Sequence, residues 1–521
     1  MRATVDLNAY EVIALNDDAS VAVFDPRFSY GGSRLLAWVR LDAPGEDWLL
    51  GQDGRRLFVS TPEAGVVAVV DTTTWALTHR VPVGPHPTRL ALSPDGKYAF
   101  VSTGANLAAL DTDTLKVAAT IPVGPGPHAI AFSDDNRVAF VVSRGAAAVS
   151  VVDVRTLTRQ REVRAGAEPF DVAYSDAAKA AFITDRGNGA ITVVDGETLD
   201  VATELPAEPG LGAIRFAPDG RMALVLNPGR GLVHVVDAAT TQLVSTGNVG
   251  DVLGEEPEEI AFTKYLAYVR SRRSEHVLMV PLDQLGMGTL HFADFPAGQA
   301  PLARAARMSM AATVVQAPEA TAVLVANPAD RMIYYYREGL AAPMGGFQTH
   351  GREPRAVLVV DRSLREQGPG IYSTTARLGG HGTYDVALFL DSPRVLHCFE
   401  LEVSPDPALA RQVPSVQLTP LEAPRTVTTG EPVRLRVKAA DSATSTPRQG
   451  LRDVGMLVLL APGTWQRRLW AHHVGDGVYE GTVNVPTDGY YRVYFQLPSH
   501  GLGYHDVPTL GFVAKRDEGD P

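Results

Sequence analysis

Val149-Ser-Val-Val-Asp153 is an apolar run that ends in aspartate, and four other runs of this kind occur in the chain. They are Val66–Asp71, Leu107–Asp111, Ile191–Asp195 and Val233–Asp237. Successive aspartates lie 40, 42, 42 and 42 residues apart. A fixed period of about 40–45 residues, with several short β-rich runs per unit, is typical of the blades of a β-propeller. The period therefore predicts an all-β propeller.

Two turn markers repeat with a similar period. The first is Gly-x-x-Pro, at Gly84/Pro87, Gly124/Pro127, Gly166/Pro169, Gly254/Pro257, Gly298/Pro301 and Gly351/Pro354. The second follows it as a tight-turn sequence, at Ser93-Pro-Asp-Gly96, Ser133-Asp-Asp-Asn136 and Ala217-Pro-Asp-Gly220. Proline fixes φ, and glycine or asparagine tolerates a positive φ, so both markers are expected between strands.

Each unit is predicted to hold four strands. In the unit that starts at His128, they are Ala129–Phe132, Val138–Val142, Ala148–Val152 and a strand near Arg159–Val163. The inner strands show weak alternation because both of their faces are buried between neighbouring blades.

The number of units predicts eight blades, with seven as the alternative. The eight inner strands are expected to start near Trp48, Thr88, His128, Phe170, Gly212, Glu258, Leu302 and Arg355. Ser20–Phe24 and Leu35–Leu41 resemble outer strands and could complete the last blade, which would remove the open sheet edge. Tyr384–Leu390 and Val395–Val403 also resemble outer strands, and the sequence does not decide between the two pairs.

The last fifth of the chain lacks the 42-residue period. We expect a propeller over residues 1–403, a proline-rich linker over 404–420 and an immunoglobulin-like β-sandwich over 421–521. Val433–Val437, Val454–Leu460, Val478–Val485 and Tyr490–Leu497 alternate as sandwich strands do.

Composition excludes several classes of function. The 521 residues include 59 acidic and 47 basic ones, a net charge of −12 that argues against a nucleic-acid partner. The single cysteine, Cys398, excludes a covalent c-type haem and a cysteine zinc site, and its place in a predicted strand favours a buried, inert thiol. No apolar run is long enough for a transmembrane segment. Because β-structure begins so early, we expect a chain from which an upstream segment was removed or truncated.

The repeat resembles the YVTN-type family of bacterial β-propellers, strongly over residues 45–260 and weakly over 260–400. Gly124-Pro-Gly-Pro-His-Ala-Ile-Ala-Phe132 and Val141-Val-Ser-Arg-Gly145 carry this resemblance. Length and unit count resemble the cytochrome d1-like members of that family, which include haem d1 domains. The tail resembles the small YtkA-like and FixG-like sandwich modules in Gly475-Asp-Gly-Val-Tyr479 and Gly489-Tyr-Tyr-Arg-Val493. These resemblances imply a periplasmic or otherwise extracytoplasmic protein linked to respiratory or metal-related systems.

Three arginines are candidate cofactor-binding residues because each follows the end of a predicted second strand. We expect one rim of the central channel to bring together Arg144, Arg186 and Arg272. Their guanidiniums could bind a haem propionate or a substrate carboxylate there. We expect the loops after second strands and the loops that enter inner strands to face the axis from opposite ends. The alternative is that these arginines are solvated and paired with neighbours such as Asp185 and Glu275.

Three histidines are further candidates for binding haem d1-type iron or copper. His86 and His128 lie in or just after Gly-x-x-Pro turns, and their spacing of 42 predicts nearly equivalent heights on adjacent blades. His381 follows Gly379-Gly380. The alternative is an exposed turn histidine.

The sequence shows no readable catalytic constellation, so our first hypothesis is a non-enzymatic scaffold of the bacterial envelope. It would engage a protein partner, such as a cytochrome or another respiratory subunit. The alternative is a haem d1-like or metal-binding electron-transfer protein that uses the channel mouth.

Overall fold

The structure is a computed structural model that describes residues 10–29, 32–253, 256–271, 273–300, 309–374, 378, 382–390, 394–404, 415–421, 426–461, 465–504 and 506–516. The regular secondary structure of the described chain is almost entirely β-strand. It divides into two compact units, residues 1–27 with 33–376, and residues 28–32 with 377–521. Among the described residues, no helix is long and apolar enough to cross a membrane.

The first unit contains seven sheets that follow one another along the chain, each made of four consecutive antiparallel strands. Their strands are Trp48–Leu50, Arg56–Thr61, Val66–Asp71 and Ala76–Pro82 (sheet 1); Pro87–Leu92, Tyr98–Thr103, Asn106–Asp111 and Val117–Pro122 (sheet 2); Pro127–Phe132, Val138–Ser143, Ala148–Asp153 and Thr158–Arg164 (sheet 3); Pro169–Ser175, Ala180–Asp185, Ala190–Asp195 and Val201–Pro206 (sheet 4); Ile214–Phe216, Met222–Asn227, Leu232–Asp237 and Gln242–Asn248 (sheet 5); Glu259–Phe262, Leu266–Arg270, His276–Pro281 and Ala293–Pro296 (sheet 6); and Val314–Gln316, Ala322–Asn327, Met332–Arg337 and Gly345–Gln348 (sheet 7). Short helical turns occur at Pro228–Arg230, Gly250–Leu253 and Leu282–Gln284.

An eighth sheet joins the two ends of this unit. Its inner strand is Pro354–Asp361, and Tyr10–Asn16, Ser20–Ser29 and Gly32–Arg40 complete it. Tyr10–Asn16 pairs antiparallel with Pro354–Asp361 along its whole length. The N-terminal strands therefore complete the last sheet, whereas Gly382–Leu390 and Val395–Val403 form a separate hairpin.

The hydrophobic core lies between neighbouring sheets. Phe58 of sheet 1 shares a cluster with Val101 of sheet 2, and the same arrangement recurs between each sheet and the next. Leu15 of sheet 8 shares a cluster with Val59 of sheet 1. Because sheet 8 packs on sheet 1, the sheets close into a ring. Both faces of the second and third strands are then buried between neighbouring sheets, which is the architecture of a β-propeller.

The aspartate that ends each repeated run holds the turn between the third and fourth strands. A carboxylate oxygen of Asp111 accepts hydrogen bonds from the backbone N–H groups of Asp113 (3.1 Å) and Thr114 (2.7 Å). Leu115, four residues after Asp111, has φ +55°. Asp71, Asp153 and Asp195 accept the same two backbone bonds, and the residue four positions later again has a positive φ. The repeated aspartate is thus explained by turn geometry.

Replacing Asp111 with alanine is expected to lower the free energy of unfolding by about 1 kcal/mol, because two backbone donors lose their acceptor. Urea unfolding followed by circular dichroism measures the change. Asp111→Asn is the control, because its amide oxygen can accept the same bonds and should recover most of the loss. Equal destabilisation by both variants would contradict this role.

The second unit contains the hairpin Gly382–Leu390/Val395–Val403 and two further sheets. Sheet 9 consists of Val416–Pro420, Pro432–Asp441, Val478–Asn484 and His472–Gly475, and sheet 10 of Thr426–Thr428, Leu510–Lys515, Gly489–Gln496, Gly455–Ala461 and Gln466–Trp470. One cluster of buried residues joins the two sheets, including Leu435 and Tyr479 from sheet 9 and Met456 and Phe495 from sheet 10. A short helical turn occurs at Pro498–His500 of the second unit. The small hairpin Arg365–Gly368/Ile371–Ser373 belongs instead to the first unit.

Several sequence expectations differ from the structure in position. The inner strand of sheet 7 begins at Val314, twelve residues after the expected Leu302, which lies outside the described residues. The division between the units falls at residue 376, upstream of the expected 403, because the hairpin groups with the second unit. The last five residues of the expected linker, Val416–Pro420, form an edge strand of sheet 9.

Candidate functional site

The first strands of the sheets surround a central cavity of about 1200 Å³ in the first unit. Each first strand contributes residues near its start, including Arg89, His128, Phe170, Arg215 and Glu259 from five successive sheets after sheet 1. The residues that follow the second strands of sheets 3 and 4, Arg144 and Arg186, line the same cavity.

The expectation that these two groups of loops face opposite ends of the channel is wrong. First and second strands pair antiparallel, so the start of one lies beside the end of the other. Pro127 pairs with Ser143, and Pro169 pairs with Asp185. This register brings Arg144 next to His128 at the same mouth of the cavity.

Four side chains from sheets 3 and 4 form a cluster at this mouth, which we call the Arg–His cluster: His128, Arg144, Phe170 and Arg186. The Arg186 guanidinium carbon lies 3.8 Å from the centre of the Phe170 ring, and that of Arg144 lies 4.7 Å from it. The His128 and Phe170 ring centres are 5.2 Å apart. An Arg144 Nη lies 2.8 Å from His128 Nε2. Phe170 thus gives both guanidiniums a cation–π surface.

Arg144 determines the protonation of His128. A guanidinium only donates hydrogen bonds, so His128 Nε2 accepts and its proton is on Nδ1. Burial, together with the charge of Arg144, lowers the pKa of His128 to about 3. Desolvation also lowers the pKa of Arg144, with a further contribution from Arg186, and it lowers the pKa of Arg186. The cluster therefore holds two guanidiniums beside a neutral imidazole, which favours an anionic ligand at the cluster, although carboxylates such as Asp171 and Glu259 also line the cavity.

The two arginines lack the acidic partners that the alternative reading required. Among the described residues, neither Arg144 nor Arg186 forms an ion pair with a carboxylate within 4.0 Å. Asp185 instead accepts hydrogen bonds from the backbone N–H groups of Glu168 and Asn188, each at 2.6 Å. Glu275 lies 3.8 Å from His276 Nε2.

The other candidates do not join the cluster in the described chain. Arg272 and His381 lie outside the described residues. Arg273, beside Arg272, pairs with Glu256 at 2.8 Å. His86 is exposed in a turn with φ +48° and does not line the cavity. Because Pro87 and Pro127 are 40 residues apart, His86 is equivalent to Gly126 and not to His128, so the expected equivalence was wrong.

Carboxylates near the starts of three first strands bridge neighbouring sheets around the cavity. Asp171 Oδ2 of sheet 4 accepts from Ile214 N (3.1 Å) and pairs with Arg215 Nη1 (2.6 Å) of sheet 5. Asp47, just before sheet 1, accepts from Leu90 N of sheet 2 at 2.9 Å. Glu259 of sheet 6 likewise accepts from Val314 N of sheet 7 at 3.0 Å. These bridges fix the first strands, and with them the cavity wall.

Sequence reasoning missed Phe170 as a platform and the bridging carboxylates. An aromatic residue in an inner strand looks like an ordinary core residue, so Phe170 gave no signal beyond its position. Asp171 and Glu259, however, each stand two residues after the proline of a Gly-x-x-Pro turn. An acidic residue at that position of an otherwise apolar strand was a usable signal.

The cluster lies within a segment of the chain that is similar to a known protein family. The family described as "Cytochrome D1 heme domain" matches residues 127–279, a range that begins at the first strand of sheet 3 and includes all four cluster residues. The chain is a β-propeller similar to cytochrome d1 haem domains. A search of curated proteins finds no match.

Two solved structures show the same fold at low sequence identity. The dihydro-heme d1 dehydrogenase NirN in complex with DHE is 16% identical with a TM-score of 0.55, over 69% of this chain and 77% of that chain. Apo AztD from Citrobacter koseri is 12% identical with a TM-score of 0.51, over 68% of this chain and 98% of that chain. At these identities the likeness concerns the fold.

The pKa of His128 predicts a specific loss of stability in mild acid. Below about pH 6.5 the imidazole of His128 binds a proton in the unfolded state, whereas in the folded state it does so only near pH 3. The free energy of unfolding therefore falls as the pH is lowered from about 6.5 to about 3. His128→Gln removes this contribution. The drop in unfolding free energy from pH 7 to pH 5 is expected to be smaller in the variant by of order 1 kcal/mol. Identical pH profiles, from urea unfolding at both pH values, would show that His128 titrates normally.

Proposed function

We propose that the mouth of the central cavity binds a flat, carboxylate-bearing ligand of the haem d1 type. The observation that carries this proposal is the pair of guanidiniums over Phe170, neither of which forms an ion pair with a carboxylate within 4.0 Å among the described residues. Asp171 and Glu168 interact with Arg144 and Arg186 only at longer range. Two arginines on one aromatic platform suit a planar anion, because guanidinium binds carboxylate through parallel hydrogen bonds.

The residues present fit such a group. The cavity volume of about 1200 Å³ exceeds that of most small-molecule sites, which leaves room for a tetrapyrrole. Arg144 and Arg186 would hold its carboxylates, Phe170 would pack on its plane, and His128 would provide an imidazole for its iron. When bound, an iron tetrapyrrole supplies one-electron redox chemistry.

The chain's own residues would respond to a carboxylate in a defined way. Arg144 donates to His128 Nε2, and an anion at the mouth competes for that donor. Transfer of the Arg144 hydrogen bond to the anion frees the Nε2 lone pair and withdraws positive charge from the imidazole. Anion binding and the availability of His128 as a ligand are therefore coupled.

The copper hypothesis finds less support. No group of three or more His, Cys, Asp or Glu able to hold a metal occurs in the described part of the chain. We therefore propose no copper site there and keep the tetrapyrrole as the cofactor of this proposal.

The second candidate function is a scaffold that engages a protein partner of the cell envelope. It is favoured by the hairpin of residues 382–403, where Leu396 and Phe399 are exposed and no third strand pairs among the described residues. Cys398 lies in this hairpin and is exposed, contrary to the expected buried thiol. A photo-crosslinker on Cys398 should give an adduct with a cytochrome of the envelope fraction, and its absence would remove this candidate.

The proposal also includes the number of blades, the fold of the second unit and the cellular compartment. The eight four-stranded sheets correspond to eight blades, the two-sheet module of the second unit is immunoglobulin-like, and the protein works in the periplasm or another extracytoplasmic compartment. The similarity to haem d1 domains supports the last point.

The proposed function is tested on protein purified from its native host, because other hosts need not make an unusual tetrapyrrole. We expect strong visible absorption and about one iron per chain. A colourless, iron-free protein that also fails to bind added carboxylate porphyrins would overturn the haem proposal.

A further inference from the structure

Sheet 10 of the second unit has an aromatic outer face. Its inward residues, such as Met456 and Phe495, are fully buried, so the alternate positions point away from the core. These outward positions include Trp470, which is 63% exposed, and Tyr490, which is 39% exposed. Tyr494 lies on the same strand and face as Tyr490, four residues further along.

Two glycines allow these rings to lie against the sheet. A Cβ on Gly455 would stand 2.9 Å from Cζ3 of the Trp470 indole. A Cβ on Gly511 would stand 2.0 Å from the Tyr490 Oη. Each ring therefore covers a glycine, and any larger residue there would push the ring off the sheet.

The aromatic face is also basic. On the outward side, the five strands of sheet 10 carry Arg468, Arg492 and Lys515 and no Asp or Glu. The whole chain has a net charge of −12, so this face has the opposite charge to the protein as a whole. Arg492 stands between Tyr490 and Tyr494, and hydrogen bonding to Tyr494 raises its pKa. A carboxylate would meet a cation that is flanked by two phenol rings.

We propose that this face binds an acidic polysaccharide built from uronate-type sugars. Pyranose rings offer polarised C–H faces that pack on the electron-rich faces of aromatic rings. The carboxylates of such sugars match Arg492 and Arg468. An extended glycan also suits aromatic side chains at i and i+4 of one strand, about 13 Å apart.

The geometry favours a glycan over a lipid surface. Aromatic anchors of membrane proteins insert between headgroups, which requires side chains that project from the surface. Trp470 and Tyr490 instead rest on Gly455 and Gly511.

Binding is tested by calorimetry of the full chain with polygalacturonate and with its fully methyl-esterified form. We expect the acid form to bind and the ester to bind at least about tenfold more weakly, since each lost charge-assisted contact costs about a factor of ten. Trp470→Ala should weaken binding about fivefold, and Arg492→Gln should weaken it about tenfold.

Arg434→Ala is the matched control. Arg434 lies on the outward side of sheet 9, pairs in register with Thr482 and has no outward Phe, Tyr or Trp on its own strand. Its removal changes the net charge by the same amount as Arg492→Gln, and we expect affinity within twofold of wild type. The proposal is overturned if polygalacturonate does not bind, if the ester binds equally, if Arg434→Ala weakens binding as much as Arg492→Gln, or if only anionic phospholipid vesicles bind.

Discussion

Replacement of both Arg144 and Arg186 with glutamine is expected to weaken the binding of a carboxylate porphyrin at least about a hundredfold, because each charge-assisted hydrogen bond contributes about 1.5–3 kcal/mol. Glutamine keeps a polar side chain and removes only the charge and the fork of donors. Quenching of porphyrin fluorescence on titration with protein measures the affinity.

The control for this experiment is Arg273→Gln at the same cavity. Arg273 already pairs with Glu256 at 2.8 Å, so its charge is compensated and its loss should change affinity by less than about threefold. If the double variant binds as tightly as wild type, the Arg–His cluster does not recognise the carboxylates.

Replacement of Asp171 with alanine is expected to lower the free energy of unfolding of the first unit by about 3 kcal/mol. Asp171 is buried, and its loss leaves the Arg215 guanidinium and the Ile214 N–H without their shared acceptor. Urea unfolding followed by tryptophan fluorescence measures the change, since Trp48 and Trp75 report on the first unit.

Asp200→Ala serves as the comparison, because Asp200 also pairs with an arginine, Arg161, but at an exposed site. The Asp200 side chain is 61% exposed and that of Arg161 is 45% exposed. Solvent screening limits such a pair to less than about 1 kcal/mol. Equal losses in both variants would mean that the Asp171 bridge does not hold sheets 4 and 5 together.

The sequence predicted strands well where the repeat is regular. In sheet 3, each predicted strand lies inside the observed one and ends within two residues of it, because the Ser-Asp-Asp-Asn turn and the run-ending aspartate mark the boundaries with side-chain hydrogen bonds. The prediction failed where a sequence marker or a residue spacing did not correspond to an equivalent position in the repeat. His86 was placed by its spacing of 42 from His128, although the repeat is 40 residues long there. Leu302 was placed directly after the Gly298/Pro301 marker, although the first strand of sheet 7 begins at Val314.

The candidate site could be predicted only in part for a related reason. The positions of Arg144 and Arg186 followed from the ends of the second strands, and the structure brings them together. Their contact with Phe170 and the hydrogen bond to His128 depend on the antiparallel register of first and second strands. That register sets which loops share an end of the cavity, and residue types alone do not show it.

The most direct test of the central claim compares one ligand with and without its charges. Calorimetry of the chain with a dicarboxylate porphyrin and with its dimethyl ester keeps the ring plane constant and removes the two anions. Recognition by Arg144 and Arg186 predicts that the ester binds at least about a hundredfold more weakly than the acid. Equal affinity for the two ligands would contradict carboxylate recognition at the mouth of the propeller.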